Sequence, residues 1–207
     1  MLVSDAHRFL FVHVQKTGGV TIDGLLRPQL PDARSLDGLT RHARLEQVLA
    51  AEPALAAYWV AGVVRNPWAR LLSWWSMVER FRDLAERGSP KAQAFLSGRG
   101  FLAVVAREYA DFEAFVLRGT RERPRLRTPQ LAYLATPTRR ADFIGRQETF
   151  DADVAAIVEY LGLPPVARVP RDNASVARDH REAYTPQMRD RVAEVFADDV
   201  EAFGYTF

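Results

Sequence analysis

The feature that most constrains the fold is a strand, a double glycine and a helix-compatible segment in direct succession, residues 8–21 (RFLFVHVQKTGGVT). The apolar run 9–12 continues through Val14 and favours a buried strand of a parallel sheet. The chain then breaks at Gly18-Gly19 and resumes as a helix over residues 20–26. Because glycine carries no Cβ, a ligand can approach this turn closely. Backbone N–H groups at the start of a helix bind anions, so the segment predicts a phosphate site.

The side chains of the same turn suit an anion. Thr17 and Thr21 can each donate a hydroxyl hydrogen bond. Lys16 adds a compact, mobile positive charge, whereas an arginine would add a rigid fork. The chain has 28 Lys and Arg residues, of which only Lys16 and Lys91 are lysines. A lysine at the turn therefore suggests a role in chemistry, with an ordinary surface lysine as the alternative.

A second motif follows a second predicted strand, residues 58–64, and reads GVVRNPWARLLS. Arg65 lies at the carboxyl end of that strand, and Asn66-Pro67 suits the cap and first turn of a helix. Ser73 lies two turns into the helix, about 10 Å along its axis. An arginine fork and a hydroxyl near a strand end can hold a phosphate. A capped helix with an arginine salt bridge is the alternative.

A histidine lies between the two motifs, in the segment RHARLE. We predict a helix over residues 39–50, with His42 near its start. Histidine is the side chain whose ordinary pKa suits a general base near neutral pH. A surface histidine is the alternative for His42. His13 is the competing base, although its place in a strand favours a bracing role, and Glu46 is a candidate to orient the imidazole of His42.

The rest of the chain alternates helices with few strands, which predicts an α/β fold with a parallel sheet flanked by helices. The length suits one domain, residues 1–207. The remaining predicted elements are a helix over 67–81, a loop or lid over 82–100, a helix over 101–117, an arginine-rich link over 119–128, a short helix over 130–135, a strand over 142–145, and helices over 151–161 and 186–203.

Both motifs resemble those of sulfotransferases that use 3′-phosphoadenosine 5′-phosphosulfate (PAPS), in particular the branch of heparan sulfate 6-O- and 2-O-sulfotransferases. HVQKTGGVT is similar to the loop that binds the 5′-phosphosulfate, and VVRNPWARLLS to the motif that binds the 3′-phosphate. The resemblance implies a P-loop-like sulfotransferase fold and a donor site. Its implied residues are Lys16, Thr17, Gly18, Gly19, Val20 and Thr21 at the 5′-phosphosulfate, and Arg65 and Ser73 at the 3′-phosphate.

The resemblance also implies a mechanism and an acceptor. His42 would accept the proton of an acceptor hydroxyl, most simply on a glycan or a glycosylated small molecule, and Lys16 would stabilise the leaving phosphate oxygen. No metal is implied, because Lys and Arg supply the positive charge. A P-loop kinase is an alternative, against which the missing Gly-Lys-Ser/Thr pattern counts. The second alternative is a module that binds a nucleotide or a glycan without catalysing a reaction.

Two further regions extend the resemblance or flank it. Residues 142–163 are similar to a segment that these sulfotransferases carry after the substrate region. Within it, Arg146 and Glu148 either lie near the cleft or pair with each other. A polar loop with Arg168, Arg171 and Arg178 is a candidate cover for the donor. The arginines of residues 118–127 form either a solvated basic loop or a rim that attracts an anionic acceptor.

Composition excludes several classes. The chain has no cysteine, so disulfides and thiolate chemistry are excluded. A net charge of +2 with a pI of about 9.1 suits an anionic ligand but not a nucleic-acid-binding tail. We find no apolar run long enough to span a bilayer and no signal-peptide pattern at the start. Together with the Arg/Ala-rich composition, this leads us to expect a bacterial cytoplasmic enzyme.

Overall fold

A computed structural model describes residues 1–166, 169–170 and 179–207. As far as they are described, the residues form two compact units, Met1–Arg65 with Pro129–Asn173, and Asn66–Thr128 with Ala174–Phe207. The interpretation of residues 1–207 as one domain stays a prediction. The suggested cover loop with Arg168, Arg171 and Arg178 lies outside the described residues.

The first unit is built on a sheet. Its four described strands are β1 (Leu2–Ser4), β2 (Phe9–Val12), β3 (Trp59–Val64) and β4 (Phe143–Arg146), in the spatial order β1-β2-β3-β4. β2, β3 and β4 are parallel, and β1 pairs antiparallel with β2. The predicted α/β class and the three parallel strands are therefore confirmed. β1 was not predicted, because three residues are too few to show an alternating pattern.

Helices make up most of the rest of the described chain. Short 3₁₀ turns lie at Arg27–Gln29, Pro53–Ala57, Gln147–Thr149 and His180–Ala183. A π-helical turn lies at Phe115–Gly119. The α-helices are α1 (Gly19–Leu26), α2 (Leu45–Ala51), α3 (Pro67–Glu86), α4 (Pro90–Ser97), α5 (Phe101–Glu108), α6 (Phe112–Ala114), α7 (Thr120–Glu122), α8 (Pro124–Arg127), α9 (Leu131–Leu134), α10 (Phe150–Tyr160), α11 (Pro186–Val195) and α12 (Ala197–Phe203).

Alternation along the strands divides the apolar side chains of the first unit between the two faces of the sheet. On one face, Phe9, Phe11 and Val63 are fully buried in a core that α1 and α10 complete. β3 also packs tightly against α9, because a Cβ added at Gly62 would lie 2.3 Å from Cδ2 of Leu134. This packing fixes β2 and β3, whose carboxyl ends carry the candidate site.

The second unit is helical, and its longest helix is α3. Asn66 caps this helix by accepting the backbone N–H groups of Trp68 and Ala69 at 3.0 and 3.4 Å. The cap confirms the predicted helix start. α3 continues beyond the predicted end at residue 81, as far as Glu86.

The prediction of a loop or lid over residues 82–100 is wrong. Gly88 has a φ of +85° and ends α3, while Ser89 caps α4 and Pro90 opens it. Glycine after a helix and proline in the first turn of the next are helix boundaries, so these residues separate helices instead of marking a loop.

The arginine-rich link is also helical, and three of its arginines are engaged inside the second unit. Arg118 pairs with Glu122 at 3.2 Å, and Arg123 pairs with Glu108. The guanidinium of Arg125 lies 4.6 Å from the ring centre of Phe101. The interpretation as a loop is wrong because the segment is helical, whereas its solvated character is confirmed: Arg118, Arg121, Arg125 and Arg127 are exposed.

Two other predicted helices are divided. The predicted helix over 101–117 is interrupted after Glu108, and a new helical segment begins with Asp111 as its cap. The predicted helix over 186–203 breaks at Phe196. Among the described residues, none of the helices has the length and apolar character that a bilayer crossing requires.

Candidate active site

The candidate residues of the first unit gather at the carboxyl edge of its parallel strands. The strand register aligns Val12 with Gly62 and Val64 with Arg146, so β2, β3 and β4 end at the same edge. The chain leaves β2 through the turn with Lys16 and leaves β3 at Arg65. Ligands of open α/β sheets bind beyond such carboxyl ends.

The turn after β2 has an unusual backbone. Lys16 has a φ of +69° and Gly18 a φ of +90°, both in the left-handed region. Left-handed residues in a turn can direct successive N–H groups into an anion-binding concavity, and this turn leads directly into the first turn of α1. The N–H group of Thr21 donates to the Gly18 carbonyl at 2.9 Å, so it belongs to the helix and not to the concavity.

Thr17 holds this turn from inside. Its side chain is fully buried, and its hydroxyl donates to the carbonyl of Val14 at 2.9 Å. The hydroxyl donor thus stabilises the turn itself, and its contact with a phosphate stays a prediction. The backbone N–H of Thr17 stays a candidate donor, and the half-buried Lys16 stays a candidate charge.

The two glycines leave no room for a side chain. A Cβ at Gly18 would lie 2.5 Å from Cε2 of Phe150, the first residue of α10, and a Cβ at Gly19 would lie 2.1 Å from Cδ2 of His13. Real Cβ atoms do not approach other atoms so closely. The glycines therefore allow the turn to pack closely against its neighbours.

His13 is a buried part of this packing. Its side chain is 5 % exposed. Burial, and next the nearby His42, lower the pKa of His13 to about 2, with further contributions from the Met1 amino group and Arg41. His13 is therefore neutral near pH 7, which supports the predicted bracing role.

His42 lies in a turn before α2, not within a helix. α2 begins only at Leu45, where the side chain of Gln47 accepts the N–H of Arg44 at 2.9 Å. The predicted helix start at residue 39 is wrong, because the capping hydrogen bond sets the boundary at Arg44.

Two hydrogen bonds fix the tautomer of His42. Its Nδ1 lies 3.0 Å from the carbonyl oxygen of His13, and its Nε2 lies 3.2 Å from Nε of Arg41. A carbonyl only accepts and a guanidinium only donates, so Nδ1 carries the proton and Nε2 presents a lone pair. This is the form that a general base requires. The carbonyl of His13 orients the ring, and the suggested role of Glu46 stays a prediction.

The backbone of Arg65 is held by a residue that the sequence did not point to. The side-chain oxygen of Gln130 accepts the N–H of Arg65 at 2.9 Å, and its nitrogen donates to the Arg65 carbonyl at 2.7 Å. Nη1 of Arg65 lies 3.5 Å from the carbonyl oxygen of Lys16. Arg65 thus contacts the turn after β2.

Ser73 and Arg146 have different surroundings. Ser73 is half-buried on α3, in the second unit. Arg146 ends β4, and its N–H donates to the carboxylate of Asp153 at 2.7 Å. The described residues contain no cluster of three or more His, Asp or Glu side chains that could hold a metal ion.

The fold and this edge define an open-sheet α/β protein with a glycine turn at the start of its first helix. A family model described as "Sulfotransferase family" matches residues 1–206. The chain therefore belongs to the sulfotransferase family, which confirms the prediction of a sulfotransferase and of its fold class. The resemblance to the heparan sulfate branch stays a prediction. Membership implies a transferase that moves a sulfuryl group. Searches among curated proteins and among solved structures gave no significant match.

Proposed function

We propose that this protein transfers the sulfuryl group of PAPS to a hydroxyl group of a carbohydrate acceptor. The observation that carries the proposal is the contact between the two motifs, Arg65 with the carbonyl of Lys16, at the start of α1. It brings an arginine and a lysine to one sheet edge, beside the backbone N–H groups of the glycine turn. These are the groups that hold phosphates in proteins.

The donor is assigned residue by residue. Backbone N–H groups of residues 17–20 and the ammonium of Lys16 hold the 5′-phosphosulfate. Arg65 holds the 3′-phosphate by its guanidinium fork. A role for Ser73 at the same phosphate, and for Thr21 at the phosphosulfate, stays a sequence-based prediction. No metal is required in this assignment.

The reaction is an in-line displacement at sulfur. The oxygen of the acceptor hydroxyl forms a bond to sulfur while the bond from sulfur to the 5′-phosphate oxygen breaks. Nε2 of His42 accepts the hydroxyl proton, and the acceptor takes the place of Arg41 as the donor to that nitrogen. Lys16 stabilises the charge that develops on the leaving phosphate oxygen, where electrostatic stabilisation is most effective. The products are a sulfate ester and adenosine 3′,5′-bisphosphate.

Nucleotide affinity tests the donor assignment. We expect adenosine 3′,5′-bisphosphate to bind about 10- to 150-fold more tightly than 5′-AMP, the equivalent of one charge-assisted contact. Arg65→Ala should remove most of this preference and leave the affinity for 5′-AMP unchanged. Calorimetry that gives equal affinities for the two nucleotides in the wild-type protein would contradict the assignment.

The acceptor class and the cellular location belong to the same proposal. A carbohydrate hydroxyl follows from the resemblance to glycan sulfotransferases. A cytoplasmic, bacterial enzyme stays a prediction of the sequence.

A further inference from the structure

Gln130 is a fully buried polar residue of the first unit, and its side-chain amide makes two hydrogen bonds to the backbone of one proposed site residue, Arg65. It is 0 % exposed, and its amide contacts the N–H and the carbonyl of Arg65 at 2.9 and 2.7 Å. The two bonds run in opposite directions, like those that a neighbouring strand makes.

This contact lies just beyond the paired part of β3, where it can restrain the backbone of Arg65. The pairing of β3 with β4 ends at Val64 and Arg146, so Arg65 is the first residue after the paired part of β3. A strand end without such support leaves the direction of the next side chain poorly defined. The amide of Gln130 extends the hydrogen-bonding pattern of β3 by one residue and fixes the backbone from which the guanidinium projects.

Gln130 is itself held firmly. It immediately precedes α9, and Leu134 of that helix packs on Gly62 in the middle of β3. α9 therefore contacts β3 at two points, through an apolar side chain at Gly62 and through an amide at Arg65. The first contact contributes packing, whereas the second acts on a residue of the proposed donor site.

We infer that Gln130 is a positioning residue that aims Arg65 at the 3′-phosphate and so sets the preference of the protein for 3′-phosphorylated nucleotides. The inference rests on the proposed role of Arg65. Groups that bind a ligand must be held to within about 0.5 Å for full effect, and a backbone clamp on the binding residue supplies this restraint.

The test measures the ratio of the affinities for adenosine 3′,5′-bisphosphate and 5′-AMP in four proteins: wild type, Gln130→Met, Arg65→Ala and Ile157→Ala. Methionine keeps the approximate volume of glutamine and removes both hydrogen bonds. We expect Gln130→Met to lower the ratio at least about 5-fold, towards the value for Arg65→Ala, with 5′-AMP affinity within about 2-fold of wild type, because only the 3′-phosphate contact is lost. In the Arg65→Ala background, Gln130→Met should have no further effect on the ratio.

Ile157→Ala is the control, because it weakens the core of the same unit at α10 and leaves α9, the helix that follows Gln130, unchanged. It should lower the thermal midpoint and leave the ratio unchanged. If Gln130→Met does not fold, Gln130→Asn tests the same clamp with a polar side chain one methylene shorter.

The outcomes distinguish a failure of the inference about Gln130 from a failure of the proposed donor site. An unchanged ratio in the Gln130 variant, with a lowered ratio in Arg65→Ala, overturns the inference alone. Equal loss of affinity for both nucleotides also overturns it, because the residue then acts only on the fold. An unchanged ratio in Arg65→Ala contradicts the proposed donor site, and the inference fails with it.

Discussion

Two turns of the first unit, the one after β2 near His13 and the one before α2 with His42, are held in different ways. The turn after β2 is fixed mainly by packing, because its glycines lie against His13 and Phe150. The buried hydroxyl of Thr17 adds a hydrogen bond to the carbonyl of Val14. The turn before α2 is fixed by hydrogen bonds, from the ring of His42 to the carbonyl of His13 and from Arg41 to that ring.

The difference between them assigns their roles. Packing holds a backbone rigidly, which suits N–H groups that must meet a phosphate without rearrangement. Hydrogen bonds to both ring nitrogens set a tautomer and still allow one donor to be exchanged for a substrate. We therefore expect substitutions in the first turn to affect stability, and substitution of His42 to affect turnover.

The largest effect on stability is expected for Gly19→Ala. The added Cβ would lie 2.1 Å from the ring of His13, so the ring or the turn must move. Overpacking of this kind costs about 1–3 kcal/mol. The measurement is the free energy of unfolding from urea titration.

Gly24→Ala is the control, because it lies in the same helix with open space at its Cβ. Alanine is favoured over glycine within a helix, so this variant should be as stable as wild type or up to about 1 kcal/mol more stable. If the two variants had the same stability, the packing account of the turn would be wrong.

A smaller effect on stability is expected from pH. The pKa of His13 is lowered to about 2, so between that value and its ordinary value of about 6.5 the unfolded chain binds a proton that the folded chain does not. Stability should therefore rise with pH up to about 6.5 and fall below it, by at most about 1.4 kcal/mol for each pH unit.

The measurement is the free energy of unfolding at pH 7, 6 and 5, in wild type and in His13→Gln. The variant should show a shallower dependence on pH, because it lacks the buried group that titrates. His7→Gln, which keeps His13, should retain the wild-type slope. Equal slopes in wild type and His13→Gln would show that His13 is not the group responsible.

The sequence predicted those parts of the first unit that depend on local patterns. The strands at residues 9–12 and 59–64 are continuous apolar runs, and the glycine turn is marked by its composition. β1 and the start of α2 were missed or misplaced, since a short strand and a capping hydrogen bond leave weak signals. The helices within residues 82–100 and 119–128 were read as a loop and a link, because glycine and proline mark helix ends as well as loops.

The candidate site was predictable only in part. Lys16, Arg65 and His42 were found through their motifs and their residue types. Gln130 was not, because it reaches Arg65 across 65 positions of the chain and has no motif of its own. The internal role of the Thr17 hydroxyl was hidden for a similar reason, since nothing in a sequence tells which way a side chain turns at a strand end.

The most direct test of the account is transfer of the labelled sulfuryl group from PAPS to a panel of carbohydrate acceptors, with EDTA present, by wild type and His42→Ala. We predict that wild type labels an acceptor hydroxyl. We predict that His42→Ala folds, binds adenosine 3′,5′-bisphosphate normally and turns over about 10²–10⁴-fold more slowly, the usual loss for a general base. Near-normal turnover in His42→Ala, with turnover lost but binding retained in His13→Gln, would move the base to His13. Binding of the nucleotide by wild type without transfer to any acceptor would contradict the central claim and indicate a binding module.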